Sequence, residues 1–268
     1  MIGYDPSFLG DTVPPPGGPP SLVELDYVHF SVWLDPARRL AALTAVNIDG
    51  ATLLDLPRGE DWRTDPRVPE SEQAGAALYA HNDLDRGHLV RRRDPVWGPE
   101  DVAQRANSDT FHYTNAAPQV SDFNQSKVLW SGLEDYLLSY AATYASRLSV
   151  FTGPVLAPDD PVYRSIGIPR RFWKVAAWLD DDRIAATGYV LDQTELLDDV
   201  LSPVPEVGLL PAPPLGAYRT YQVPISDIAD LTGLTMPQLV QADRFVPATA
   251  RPGRSAWVEL HSTADIRT

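Results

Sequence analysis

The apolar residues of this chain recur at different spacings, and each spacing predicts an element. Between about residues 125 and 147, Leu129, Leu133, Leu137, Tyr140, Ala141 and Tyr144 return every three or four positions, the period of one helical face. This predicts the longest helix of the chain. Residues 23–33 and 40–48 are rich in β-branched and aromatic types and flank Asp35-Pro36-Ala37-Arg38, which predicts strands joined by a hairpin turn. Residues 148–154, 174–179 and 184–191 read as further strands, the last two joined through Asp180-Asp181-Asp182. Pro99-Glu100-Asp101-Val102-Ala103 opens a short helix with acids in its first turn. Residues 226–231 and 236–242 read as short helices, with Ser226 as the candidate N-cap.

Residues 49–80 read as loop, as does the proline-rich stretch 203–216. Pro14-Pro15-Pro16-Gly17-Gly18-Pro19-Pro20 excludes a helix or a central strand, so residues 1–22 read as an extended arm, flexible unless docked on a partner or a second subunit. The predicted architecture is α+β: one domain over residues 23–268, with a central, mostly antiparallel sheet flanked by helices.

Composition narrows the setting. A chain of 268 residues, 44% hydrophobic and 22% charged, has the makings of a buried core. No apolar run is long enough to span a bilayer, so no membrane association is expected. Met1-Ile2-Gly3-Tyr4-Asp5 lacks the basic start and apolar run of a secretory signal, which makes the cytoplasm the expected address. With no cysteine there is no disulfide or thiol chemistry. The net charge of −14 opposes nucleic acid at long range and argues against a tight, passive nucleic-acid binder. The charge is unevenly placed, however. Arg86, Arg91, Arg92 and Arg93 lie close together, whereas Asp180-Asp181-Asp182 and Asp198-Asp199 are distant in sequence. A local basic patch suits a catalyst that must release its product.

The chemistry concentrates in Asp85-Arg86-Gly87-His88, followed by Arg91-Arg92-Arg93. Histidine titrates near neutrality and can take a proton from water. Arginine binds phosphate oxygens through two donors at once. Glycine permits a sharp turn and the close approach of a ligand. A base beside an anion clamp is what phosphodiester hydrolysis requires. His29, His81, His112 and His261 have no comparable company.

Three further segments follow in order: Asn115-Ala116-Ala117-Pro118-Gln119, Asn124-Gln125, and Trp130-Ser131-Gly132-Leu133-Glu134. With Asp85-Arg86-Gly87-His88 they resemble the DNA/RNA non-specific endonuclease family, the ββα-metal nucleases of the endonuclease G type. The resemblance extends from about residue 24 to residue 245 and includes Trp62-Arg63-Thr64-Asp65-Pro66 and Phe172-Trp173-Lys174-Val175. It implies a single ββα-metal nuclease domain that hydrolyses DNA and RNA with little sequence preference, leaving 5′-phosphate and 3′-hydroxyl ends. It also implies the roles. His88 is the general base, Asn124 the direct ligand of a divalent cation, and Glu134 serves that cation through water. Arg86 contacts the scissile phosphate, Asn115 orients the catalytic groups or the phosphate, and Arg63 is a weaker phosphate candidate. Ligation by one amide oxygen and waters suits Mg²⁺, with Mn²⁺ as a substitute, and no cluster has zinc spacing. The family further implies a homodimer. The arm is the candidate attachment for a regulatory partner.

Two departures from the family pattern stand out. Ten residues separate Asn124 from Glu134, two more than in the family. On one unbroken helix Asp135 would lie nearer the face of Asn124; a bulge before Trp130 would restore Glu134. In addition, Leu138 stands where the secreted bacterial enzymes carry an arginine. Two rival readings remain. A catalytically silent nuclease fold would bind nucleic acid or a protein partner, but intact His88 and Asn124 argue against it. A phosphodiesterase acting on a small nucleotide would require a closed pocket.

Overall fold

Strands β3 (Leu40–Asp49), β6 (Arg147–Pro154), β9 (Arg171–Asp180) and β10 (Arg183–Asp192) are buried at nearly every successive position, the pattern of strands covered on both faces. In a computed structural model, which describes residues 1–121, 130–201, 219–245 and 256–267, they form the middle of an eight-stranded sheet. Its order is β1 (Val23–Tyr27), β2 (Phe30–Asp35), β3, β6, β9, β10, β11 (Arg219–Val223) and β12 (Val258–Leu260). Every neighbouring pair is antiparallel. A separate two-stranded sheet pairs β4 (Leu84–His88) with β5 (Ala116–Val120), and a short hairpin joins β7 (Val162–Tyr163) to β8 (Ile166–Gly167). Helices Glu100–Asp109, Trp130–Tyr144, Thr194–Leu201, Ile225–Thr232 and Pro237–Gln241 flank the strands. The predicted α+β class and antiparallel sheet are both present.

Two apolar clusters occupy the two faces of the large sheet. On the front, Phe30, Val46, Val150, Phe172, Ala176 and Leu191 meet side chains of β4, β5 and the helix Trp130–Tyr144. On the back, Leu43, Phe151, Trp173, Val175 and Val190 meet Phe8, Leu9 and Val13 of the N-terminal segment and Ile225, Ile228 and Leu239 of the C-terminal helices. The long helix approaches the sheet closely at Gly50, where a Cβ would collide with the carbonyl of Ala141.

Several local expectations are corrected. The N-terminal residues are not a free arm. Gly3 and Gly17 pair with Tyr27 and Thr235, Tyr4 Oη donates to Val13 O at 2.8 Å, and Phe8 and Val13 are buried. The 23–33 run breaks at His29, whose φ of 68° turns β1 into β2, so the N-terminal sheet is a three-stranded meander. Ser226 lies inside its helix; Pro224 occupies the N-cap, with no side-chain cap, and its fixed φ suits a helix start. The β9–β10 hairpin turns as expected at Asp181 and Asp182, with φ of 44° and 62°. On the long helix the buried face is Leu137, Leu138 and Ala141, while Tyr140 and Tyr144 are exposed. The predicted 203–216 loop lies outside the described residues. Among the described residues, no helix is long and apolar enough to cross a membrane.

Candidate active site

Asp85-Arg86-Gly87-His88 makes up most of strand β4. Side chains alternate along a strand, so Arg86 and His88 project from one face and Asp85 and Gly87 from the other. Gly87 serves packing: a Cβ there would collide with the side chain of buried Gln119, which crosses it from β5. The pairing partner of His88 is Ala116.

The His88 ring sits in an aromatic box, 4.7 Å from Trp62 and, edge-on, 5.2 Å from Phe111. Its Nε2 is shielded from solvent and has no hydrogen-bond partner among the described residues. Burial and the positive field of Arg58, Arg92 and Arg86 push its pKa down to about 3. The imidazole is therefore neutral at physiological pH, the form that accepts a proton. Arg86 is exposed and lies over the Trp62 ring at 5.5 Å, which keeps the guanidinium beside the imidazole.

Asn115 lies against the backbone that follows His88. It is fully buried, its Oδ1 accepts from Val90 N at 2.9 Å, and its Nδ2 donates to Val90 O and Thr110 O, each at 3.0 Å. Both ends of the amide clamp backbone, so Asn115 fixes the segment that leaves His88. Arg63 is likewise engaged, with His112 Nε2 at 3.1 Å and Ser108 O at 3.0 Å, at the end of helix Glu100–Asp109.

Glu134 and Asp135 separate cleanly. Glu134 shares a helical face with Leu137, Leu138 and Ala141, at the i+3, i+4 and i+7 spacings that face the sheet. Its side chain is 12% exposed, against 52% for Asp135. Lys174 Nζ lies 3.3 Å from Glu134 Oε1 and Arg91 Nε lies 3.6 Å from Oε2; Arg91 also bonds Asp135. Leu138, in place of the family's arginine, belongs to the front core. Asn124 and Gln125 lie outside the described residues.

Two residues of this cluster, Lys174 and Asp94, are not among the site residues expected from the sequence. Lys174, 1% exposed, donates to Thr152 Oγ1 at 3.1 Å. Asp94 is buried nearby, and burial raises its pKa to about 7 against the pull of Lys174 and Arg91. A lysine in the otherwise apolar run Phe172–Leu179 was the available signal, because lysine is almost never fully buried unless paired. As for a cation, the described residues offer no group of three His, Cys, Asp or Glu. A half-buried carboxylate beside the base-bearing segment is a hard oxygen donor, which fits a cation that keeps most of its waters.

Comparisons with known proteins bear on the family and the fold. A family model described as DNA/RNA non-specific endonuclease matches residues 14–243. The Sinorhizobium fredii protein y4fB is 41% identical over 289 residues, covering 99% of this chain and 42% of that protein. Human mitochondrial endonuclease G is 31% identical over 186 residues, covering 65% of this chain and 55% of that protein. The chain thus spans about half the length of these relatives. A crystal structure of an EndoG/EndoGI complex superposes with a TM-score of 0.58 at 17% identity, covering 81% of this chain and 86% of that one.

Proposed function

Since the chain belongs to the DNA/RNA non-specific endonuclease family, we propose that it cleaves DNA and RNA internally by phosphodiester hydrolysis, with little preference for base sequence. The observation that carries this reading is the shared strand face of Arg86 and His88, with a neutral imidazole whose Nε2 has no partner among the described residues. His88 takes the proton of the attacking water at Nε2. Arg86, exposed and held on Trp62, binds the scissile phosphate. Asn115 acts at one remove, keeping the backbone after His88 in place so that the base does not drift from the phosphorus.

Asn124 would hold a divalent cation directly and Glu134 through water; the bound cation would neutralise charge on the phosphate and on the leaving 3′-oxygen. Mg²⁺ suits such oxygen donors, with Mn²⁺ next. Glu134 is preferred to Asp135 because its helical face turns it inward. The N-terminal segment stays the candidate attachment for a regulatory partner: Phe8, Leu9 and Val13 pack it on the back of the sheet, while Met1 and Ile2 are exposed.

Supercoiled plasmid and structured RNA test the reading together. Both should be cut in Mg²⁺ or Mn²⁺, poorly in Ca²⁺, and not at all in excess chelator. Cleavage that persists in chelator would refute a metal-assisted hydrolysis.

A further inference from the structure

The central strands carry one feature that general-base chemistry leaves unused. Lys174 sits on β9 in register with Thr152 of β6, and Thr152 with Thr44 of β3, so a polar row crosses the front of the sheet beneath the long helix. Its neighbours on the same face, Phe172 and Ala176, belong to the front core. An ammonium in such surroundings needs partners, and it has Thr152 Oγ1 and Glu134 Oε1. The other oxygen of Glu134 faces Arg91, three residues beyond His88. The same carboxylate is therefore gripped from the sheet and from the segment that carries the base.

We infer that Lys174 and Arg91 are positioning residues: together they fix the Glu134 carboxylate in the orientation that receives the divalent cation. Each carboxylate oxygen offers two acceptor directions. With one direction of each taken by a cationic side chain, one direction on each oxygen is left for the cation's water. Without the cradle, Glu134 would be free to change rotamer. This inference rests on the nuclease reading above, in which Glu134 serves the metal.

The test uses the full chain and Lys174→Met, Lys174→Arg, Arg91→Met, Glu134→Gln and Lys174→Met/Glu134→Gln. Mn²⁺ affinity is read by electron paramagnetic resonance, alongside plasmid cleavage and thermal melting. Lys174→Met should weaken Mn²⁺ binding roughly 10- to 100-fold, the usual cost of losing a group that orients a metal ligand. Lys174→Arg should recover most of that loss, and the double variant should bind no more weakly than Glu134→Gln alone. Unchanged Mn²⁺ affinity with only a lower melting temperature would make the cradle purely structural and overturn the inference. Tighter Mn²⁺ binding would also overturn it, because Lys174 would then be a charge competing with the cation. Should Lys174→Met fail to fold, Arg91→Met reads the same outcomes from the more accessible side. A fully active Glu134→Gln with normal Mn²⁺ affinity would instead refute the role of Glu134 in the nuclease reading. A defective Glu134→Gln beside normal Lys174→Met and Arg91→Met would refute the inference alone.

Discussion

The two faces of the central sheet are made by the same strands, yet they bury different chemistry. On the back, Trp173, Val175 and Ala177 alternate outward from β9 into an apolar layer closed by Phe8, Leu9 and Val13 and by the C-terminal helices. On the front, the intervening positions of that strand are Phe172, Lys174 and Ala176, and the polar row Thr44, Thr152, Lys174 continues to Tyr189 of β10. Burying apolar area stabilises a fold wherever it occurs, whereas burying an ammonium is tolerated only when the geometry supplies its partners. The back face is thus the anchor. The front face accepts a less favourable interior in exchange for a carboxylate held in one place. A period of two along each strand keeps the two functions apart.

The largest effect should come from the back face. Trp173 is completely buried there, and Trp173→Ala should destabilise the chain by about 3–5 kcal/mol. Urea unfolding should show this loss while the folded fraction keeps its turnover. A drop in turnover of the folded fraction would mean that the faces are coupled. The next effect belongs to the front. Arg86 is exposed and lies over the Trp62 ring, so Arg86→Ala should lower kcat/KM about 10²-fold, near the cost of removing one preorganised donor. Its melting temperature should stay at the wild-type value.

The smallest effect is a pH dependence that belongs to the front face. His88 is held below its ordinary pKa of 6.5 at about 3, chiefly by burial. At His88 the unfolded chain therefore binds a proton that the folded chain refuses, and the His88 contribution to stability is lost as pH falls from about 6.5 toward 3. Asp94, raised by burial to about 7, acts in the opposite sense between about 7 and 3.8, so the His88 step is read as the difference between wild type and His88→Asn. His29 and His112 are depressed by burial in the same direction, so His88→Asn should remove only part of this slope. Asp65 adds a second, more acidic step. Against the burial that would raise it, hydrogen bonds from Arg67 and Tyr27 hold its carboxyl at about 2, so its contribution is full above the ordinary 3.8 and fades toward 2. Melting temperatures between pH 8 and pH 2 should resolve both steps, and Asp65→Asn should abolish the lower one.

Much of this was readable along the chain because it depends on local spacing. The pair Arg86 and His88 is two residues apart and needs only a strand to bring it to one face. The hairpin at Asp180-Asp181-Asp182 and the long helix likewise follow from turn chemistry and period. What escaped depends on distant partners. The partners of Asn115 are Val90 and Thr110, whose backbone its amide clamps. The link between Lys174 and Glu134 joins a strand to a helix 40 residues earlier. The proline run was read for what its backbone forbids, while the apolar Phe8, Leu9 and Val13 beside it, which dock the segment, carry no period. The helical face was misjudged by one position because Tyr140 and Tyr144 count as apolar in a periodicity but lie at the solvent edge.

The most direct test of the central claim compares wild type with His88→Ala on supercoiled plasmid in saturating Mg²⁺, with thermal melting of both proteins. The expected result is a loss of roughly 10²–10⁴-fold in turnover with the fold intact, the worth of a positioned general base. Wild-type turnover in the His88→Ala protein would contradict it.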